Sequence, residues 1–313
     1  MAFIRAKLVS GEYYFYLVKN VREGGAVRQE IMKYLGRRDE AEKYAKEKGL
    51  TMPEPEERQE EGEKELDRKI AEKKKLLDSL RPFPKEIEER LMEDLVVLWT
   101  YNSTAIEGST LSLKETATLL DEGMVVGNKP LTDYLAAKGH RDAINIIFRW
   151  MKEGKKEIRE ADILELHKAT MKGVVEKYLG AYRPVQVYPR GSPFMPPPPN
   201  RVPKLMGEFV YKTNRNPNGY DPIALAAVSH LEFESIHPFV DGNGGVGRLL
   251  ANWVLMKGGY PPIIIAKKER LRYLRLLEQA QTKNRQYGLV LFFKRKVNEA
   301  LDFYLKRAKP YKM

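Results

Sequence analysis

A mainly helical protein carrying a small N-terminal α+β module is the fold class that this sequence predicts. Apolar residues recur at helical spacing through most of the chain beyond residue 86, starting with Leu91, Leu95, Val96 and Leu98. Short runs rich in Val, Ile, Tyr and Phe open the chain and read as strands. Between Gly180 and Pro203 the proline density, including Pro196 to Pro199, marks one stretch that no helix can occupy.

Taken in order, Phe3 to Val9 and Tyr13 to Val18 predict a hairpin turning at Ser10-Gly11, followed by Gln29 to Gly36 and a helix from Asp39 to Gly49. These form a basic accessory module, residues 1–50. Its surface Lys and Arg suit phosphate contacts with nucleic acid, and suit a merely solvated face equally well. Residues 51–85 read as a charged linker that becomes helical near Leu66. The third region, 86–313, predicts helices over 112–121, 129–153 and 161–175, with Ala136, Ala143, Ile144, Ile147 and Phe148 on one buried face. A hairpin and a rigid extended segment are expected over 180–203. Asp221-Pro222 starts a helix that must stop before Pro238, and Leu249 to Lys257 forms another.

Composition narrows the function classes. The 313 residues hold 55 Lys plus Arg against 43 Asp plus Glu, a net charge of +12, with 42% hydrophobic residues. That balance excludes wholesale disorder, a collagen-like fibre and an integral membrane protein. With no cysteine, disulfides, thiol catalysis and thiolate metal sites are excluded. Charge interrupts the N-terminus before a signal-peptide core can form, so the expected location is cytoplasmic.

The chemistry concentrates in His237-Pro-Phe-Val-Asp241-Gly-Asn243-Gly244-Gly245-Val-Gly247-Arg248, a glycine-rich loop between two helices. Gly242, Gly244 and Gly247 satisfy G-x-G-x-x-G, yet a helix precedes them where a dinucleotide fold needs a strand, and no Lys-Ser or Lys-Thr follows as in a P-loop. What remains is an anion cradle: backbone N–H groups turned inward at a helix start, with Arg248 to bind phosphate. His237 can take a proton near neutrality, and Asp241 is a hard carboxylate suited to Mg²⁺. The other histidines, 140, 167 and 230, form no H-E-x-x-H pair, and His230 reads as a core residue.

This segment resembles the H-P-F-x-D-G-N-G-R-x-x-R signature of the Fic (Fido) family of AMP transferases, at all but one defined position. The resemblance covers most of residues 86–305, with a core at about 160–300. Gly180-Ala-Tyr-Arg-Pro-Val-Gln-Val-Tyr with the following prolines looks like the family's β-hairpin flap. Ser103-x-x-x-Glu107-Gly108 matches its inhibitory motif, which implies the subclass with an N-terminal inhibitory helix, here near 92–107.

The resemblance implies a self-inhibited adenylyltransferase, a nucleotidyltransferase that AMPylates a hydroxyl side chain of a target protein or of itself, with ATP and Mg²⁺ as cosubstrate and cofactor. His237 would be the catalytic base and Asp241 the metal ligand. Asn243, Gly244, Gly245, Gly247 and Arg248 would bind the phosphates, Tyr273 and Gln281 the adenosine. Val185, Gln186, Val187 and Tyr188 would hold the target by strand addition. Glu107, with Ser103, would keep the enzyme inhibited by pairing with Arg248. Family members often dimerise, so a homodimer is the implied assembly.

Gly245 stands where the family has its first arginine. A charge-assisted bond to phosphate is worth about 1.5–3 kcal/mol, or roughly ten- to 150-fold, so triphosphate handling should weaken without chemistry being lost. Two further readings stay open at this stage. Glu107 could position a water for removal of AMP, or the chain could be an impaired Fic-like regulator that binds nucleic acid through residues 1–50.

Overall fold

In the computed structural model, which describes residues 2–9, 12–23, 26–52, 55–189 and 191–308, the opening runs form three antiparallel strands. These are β1 (Ala2–Val9), β2 (Glu12–Glu23) and β3 (Ala26–Gly36), in the order β1-β2-β3. The expected turn at Ser10-Gly11 lies outside the described residues. Tyr16 of β2 sits opposite both Arg5 and Tyr34, and register shifts fall at Phe15/Tyr16 and Leu17/Val18. One face of the sheet buries Ile4, Phe15, Leu17 and Leu35 against Ala41 and Ala45 of α1 (Arg38–Lys48). Alternation along the strands puts those residues on the same side. Gly49 ends α1 in a left-handed conformation at φ 62°. By its internal contacts the chain divides into residues 1–65 and 66–313.

The charged stretch is helical earlier than its apolar pattern predicts: α2 runs Pro55–Leu80 rather than starting near Leu66. Lys, Glu, Arg and Gln are strong helix formers, so hydrophobic periodicity is not required to propagate a helix through them. Its second half packs Ile70 and Leu77 into the larger core. Then follow α3 (Lys85–Glu107), which starts seven residues before the expected 92, α4 (Leu113–Glu122) and α5 (Leu131–Lys152), both close to their predicted ranges, and α6 (Glu160–Met171), which stops four residues short of the expected 175. Ser112 caps α4 by accepting from the Glu115 N–H, and Glu115 reciprocates to the Ser112 N–H.

The segment from 180 to 198 corrects an expectation, since no strand pairing forms there among the described residues. Prolines lack the N–H groups that a ladder needs. Side chains bridge its two arms instead: Gln186 Nε2 donates to the Pro196 carbonyl at 3.0 Å, and Arg183 Nη2 to that of Pro197.

The remaining helices are α7 (Val202–Arg215), α8 (Pro222–Ile236), α9 (Asn243–Lys257), α10 (Arg270–Lys283) and α11 (Tyr287–Ala308). Asp221 caps α8 by accepting from the N–H groups of Ile223 and Ala224. At the centre lies α9, buried along nearly its whole length, with Leu249, Trp253 and Leu255 wholly enclosed. Each such side chain contributes about 1.5–3 kcal/mol by leaving water. Here too the sequence reading is corrected: Gly244, Gly245 and Gly247 belong to the first turns of α9 and not to a preceding loop. Among the described residues no helix is long and apolar enough to cross a membrane.

Candidate functional site

The site forms where α8 stops and α9 begins. His237 ends α8 in the left-handed region at φ 50°, its N–H reaching the Phe233 carbonyl at 2.9 Å. A non-glycine residue there costs energy, of order 1–2 kcal/mol. Pro238 disfavours further helix, and buried Arg183 holds the turn: its Nε donates to the His237 carbonyl at 2.8 Å, its Nη1 to that of Val185 at 3.0 Å. The same guanidinium thus ties the turn at His237 to the extended segment. Nothing in the Gly180-to-Tyr188 stretch that contains Arg183 predicts this role.

Burial pushes the His237 pKa below the usual imidazole value, so the ring is neutral near pH 7. Its Nδ1 is enclosed, 3.9 Å from Oε2 of Glu234. Glu234 is another residue that motif reading passed over. Its Oε1 has no hydrogen-bond partner, and burial raises its pKa to about 8, so it is mostly protonated at neutrality.

Asp241 is exposed, and its Oδ1 accepts from the Gly242 N–H at 2.7 Å. His167 fixes the backbone beneath it. Gly180 N–H donates to His167 Nδ1, so the ring proton sits on Nε2 and is given to the Asp241 carbonyl at 3.1 Å. The ring stacks on Phe239 with centroids 3.8 Å apart. Burial lowers the His167 pKa to about 4, keeping it neutral and structural.

At α9 the helix start has no side-chain cap of its own: Gly242 occupies the N-cap at φ 78°. Free N–H groups and the helix dipole therefore attract an anion. The carboxylate of Glu107, the last residue of α3, lies against Gly244 in the first turn. A Cβ at Gly244 would meet Glu107 Oε1 and lie 3.0 Å from Arg248 Nη1, so any larger residue there would have to displace the Glu107 carboxylate. Glu107 Oε1 pairs with Arg248 Nη2 at 2.7 Å. Ser103 completes the clamp, accepting from Arg248 Nε at its hydroxyl (3.0 Å) and from Nη2 at its carbonyl (3.1 Å). Burial opposes the guanidinium charge, yet Glu107, Tyr273 and Glu234 outweigh it, and the Arg248 pKa is raised. The carboxylate of the Ser103-to-Gly108 motif and the arginine of the glycine-rich stretch, 141 positions apart, thus meet.

Other predicted residues take different places. The Asn243 side chain is buried and spent on Phe239, accepting from its N–H and donating to its carbonyl, both at 2.9 Å. Only its backbone can serve an anion. Gly247 faces α8, where a Cβ would come within 2.7 Å of Glu234 Oε1, so it serves helix packing and not the cleft. Tyr273 is buried beneath α9, its hydroxyl 2.7 Å from His230 Nε2, and Gln281 is half-buried at the end of α10. Neither lines the cleft beside Glu107 and Arg248. Val185 and Tyr188 are exposed, Gln186 and Val187 half-buried. Gly245 does line the cleft.

With this geometry in view, the Fic/DOC family model matches residues 157–255. Over 206 residues the chain is 36% identical to the protein adenylyltransferase Fic of Drosophila grimshawi, covering 66% of this chain and 42% of that protein. It is 31% identical to the same-named protein of Nematostella vectensis over 242 residues, 76% of this chain and 55% of the other. It thus spans about half the length of these curated relatives. Among solved structures, a Fic domain containing signaling protein from Bacteroides thetaiotaomicron superposes with a TM-score of 0.71 at 28% identity, over 78% of this chain and 99% of that one. Fic-1 from C. elegans gives 0.70 at 27% identity, over 78% and 73%.

Proposed function

This chain belongs to the Fic/DOC family, and from that premise we propose that it is a protein adenylyltransferase, held inactive by Glu107, that moves AMP from ATP to a hydroxyl side chain of a protein target or of itself. One observation carries the reading: the Glu107 carboxylate from α3 lies on Arg248 and against Gly244 at the N–H-rich start of α9, where a phosphate would go, and the turn before that start carries the neutral His237 imidazole and the exposed Asp241.

In this reaction the target segment lies along the extended stretch at Val185 to Tyr188, where exposed apolar side chains flank it. The target hydroxyl gives its proton to His237 Nε2 while its oxygen attacks the α-phosphate. The bond from that phosphorus to the bridging oxygen breaks, and pyrophosphate leaves. The N–H groups of Gly244 and Gly245 face the charge that develops. Arg248 takes the distal phosphates once Glu107 has withdrawn. Asp241 fits a magnesium site, since a hard carboxylate with one oxygen uncommitted to the backbone faces the cleft, and phosphate oxygens complete such a shell. Mg²⁺ held there would offset charge on the α- and β-phosphates.

Labelled ATP tests the reading on the whole chain. AMP should attach to protein more strongly after Glu107→Gly and about 10²- to 10⁴-fold more slowly after His237→Ala; equal absence of label in both overturns it. A second reading, removal of AMP by a water held on Glu107, is supported by the half-exposed position of that carboxylate. Under it Glu107→Gly should abolish release from a modified target.

The N-terminal sheet favours a separate role for residues 1–50. The rings of Tyr14 and Tyr16 lie 6.2 and 5.2 Å from that of exposed Tyr34, an aromatic group on which bases could stack. Oligonucleotide binding that falls steeply with salt, and is lost with Tyr34→Ala, would support it.

A further inference from the structure

Beside the start of α9 lies a cleft of about 270 Å³ whose walls include Ser103, Asp133, His140, Thr170, Gly245 and Arg248. Neither space nor backbone demands glycine at 245. Its φ is not positive, and a Cβ there would meet Thr170 Cγ2 at 3.4 Å, an ordinary contact. What glycine does at 245 is leave this cleft open.

His140, on α5, is 2% exposed and lines the cleft, yet neither of its ring nitrogens has a hydrogen-bond partner. Such a group costs about 1–3 kcal/mol unless something meets it. Burial and the Arg248 charge lower its pKa to about 3, so the ring is neutral, with one donor and one acceptor nitrogen. Thr170 Oγ1 gives its proton to the Leu166 carbonyl at 2.8 Å and keeps only acceptor capacity. Ser103 Oγ accepts from Arg248 and keeps its proton to donate. The wall therefore mixes donors with acceptors. An ionised phosphate only accepts, so it would leave the acceptors on Thr170 and His140 unmet. A hydroxyl both donates and accepts.

We propose that this cleft is a subsite for a neutral, hydroxyl-bearing group joined through a diphosphate to the adenosine, so that an ADP-sugar serves as AMP donor. The inference rests on the AMP-transfer reading above and changes only the leaving group. The target oxygen bonds to the α-phosphorus, the bond from that phosphorus to the bridging oxygen breaks, the sugar departs as its phosphate, and the hydroxyl proton goes to His237.

The test is calorimetry with Mg²⁺ on the full chain carrying Glu107→Gly, using ATP, ADP and ADP-glucose as probes. ADP-glucose should bind about tenfold tighter than ADP, the worth of one or two net hydrogen bonds. Adding His140→Leu should erase that preference, whereas His140→Gln, which keeps a donor and an acceptor, should retain it at matched thermal stability. Gly245→Arg, which fills the cleft, should also erase it. Mass spectrometry should find AMP on protein and glucose phosphate in solution. The proposal is overturned if ATP binds but ADP-glucose binds no tighter than ADP, or if the preference survives His140→Leu. Failure of ATP to bind as well would remove the transferase reading and this inference together.

Discussion

Glu107 and Arg248 meet at 2.7 Å across the mouth of α9, one from the last position of α3 and the other from the second turn of the helix it blocks. A phosphate cannot use that guanidinium while the carboxylate does. Glu107→Gly should therefore raise ATP affinity, measured by calorimetry, by roughly tenfold, the lower end for a charge-assisted bond because the Glu107 side chain is 54% exposed.

His237 titrates below an ordinary histidine because it is enclosed. The base form persists to a lower pH than an exposed imidazole would allow. In the Glu107→Gly background the acidic limb of the transfer rate should therefore have its midpoint below about 6.5. His237→Ala should lower the rate about 10²- to 10⁴-fold with nucleotide affinity preserved.

Glu234 supplies the opposite sign. Its carboxyl has a raised pKa near 8 in the folded chain, against about 4.3 when exposed, so the folded state holds a proton that the unfolded state has released across that window. Stability is full below pH 4 and falls as pH climbs toward 8. Thermal unfolding from pH 5 to 8 should show the decline. Glu234→Gln should flatten it and gain on the order of 1 kcal/mol at pH 8.

Asn243 braces the turn between His237 and Asp241 through two buried hydrogen bonds to Phe239. Asn243→Ala strips partners from a buried N–H and carbonyl and should cost about 1–3 kcal/mol in urea unfolding. Transfer should fall as well, since His237 and Asp241 flank the braced residue; unchanged stability would show that the bonds are dispensable.

Much of this site was legible because it is local. His237, Asp241 and Arg248 lie within one short stretch whose glycines and charges announce an anion site, and Glu107 follows from a motif whose partner is that arginine. What escaped depends on contacts distant in sequence. Tyr273 has the residue type and helix position of a ligand contact, yet its hydroxyl is taken by His230, 43 positions away. Gly247 looks like part of a phosphate loop until Glu234 and His230 are found pressed against it. Arg183, His167 and His140 lack any local pattern, because each works through backbone carbonyls or a cavity that only the fold assembles. In the same way, the extended segment was read as a hairpin from its β-branched residues, while its prolines decided otherwise.

The plug on Arg248 is the tip of a rod. Helix α3 has 23 residues, about 35 Å at 1.5 Å per residue, and Gly108 at φ 110° terminates it immediately after Glu107. A swing of about five degrees around the Lys85 end would carry the tip by roughly 3 Å, more than the bond that it must break. Under the proposed reading, a displacement at the Lys85 end would therefore reach the Glu107–Arg248 pair through the helix.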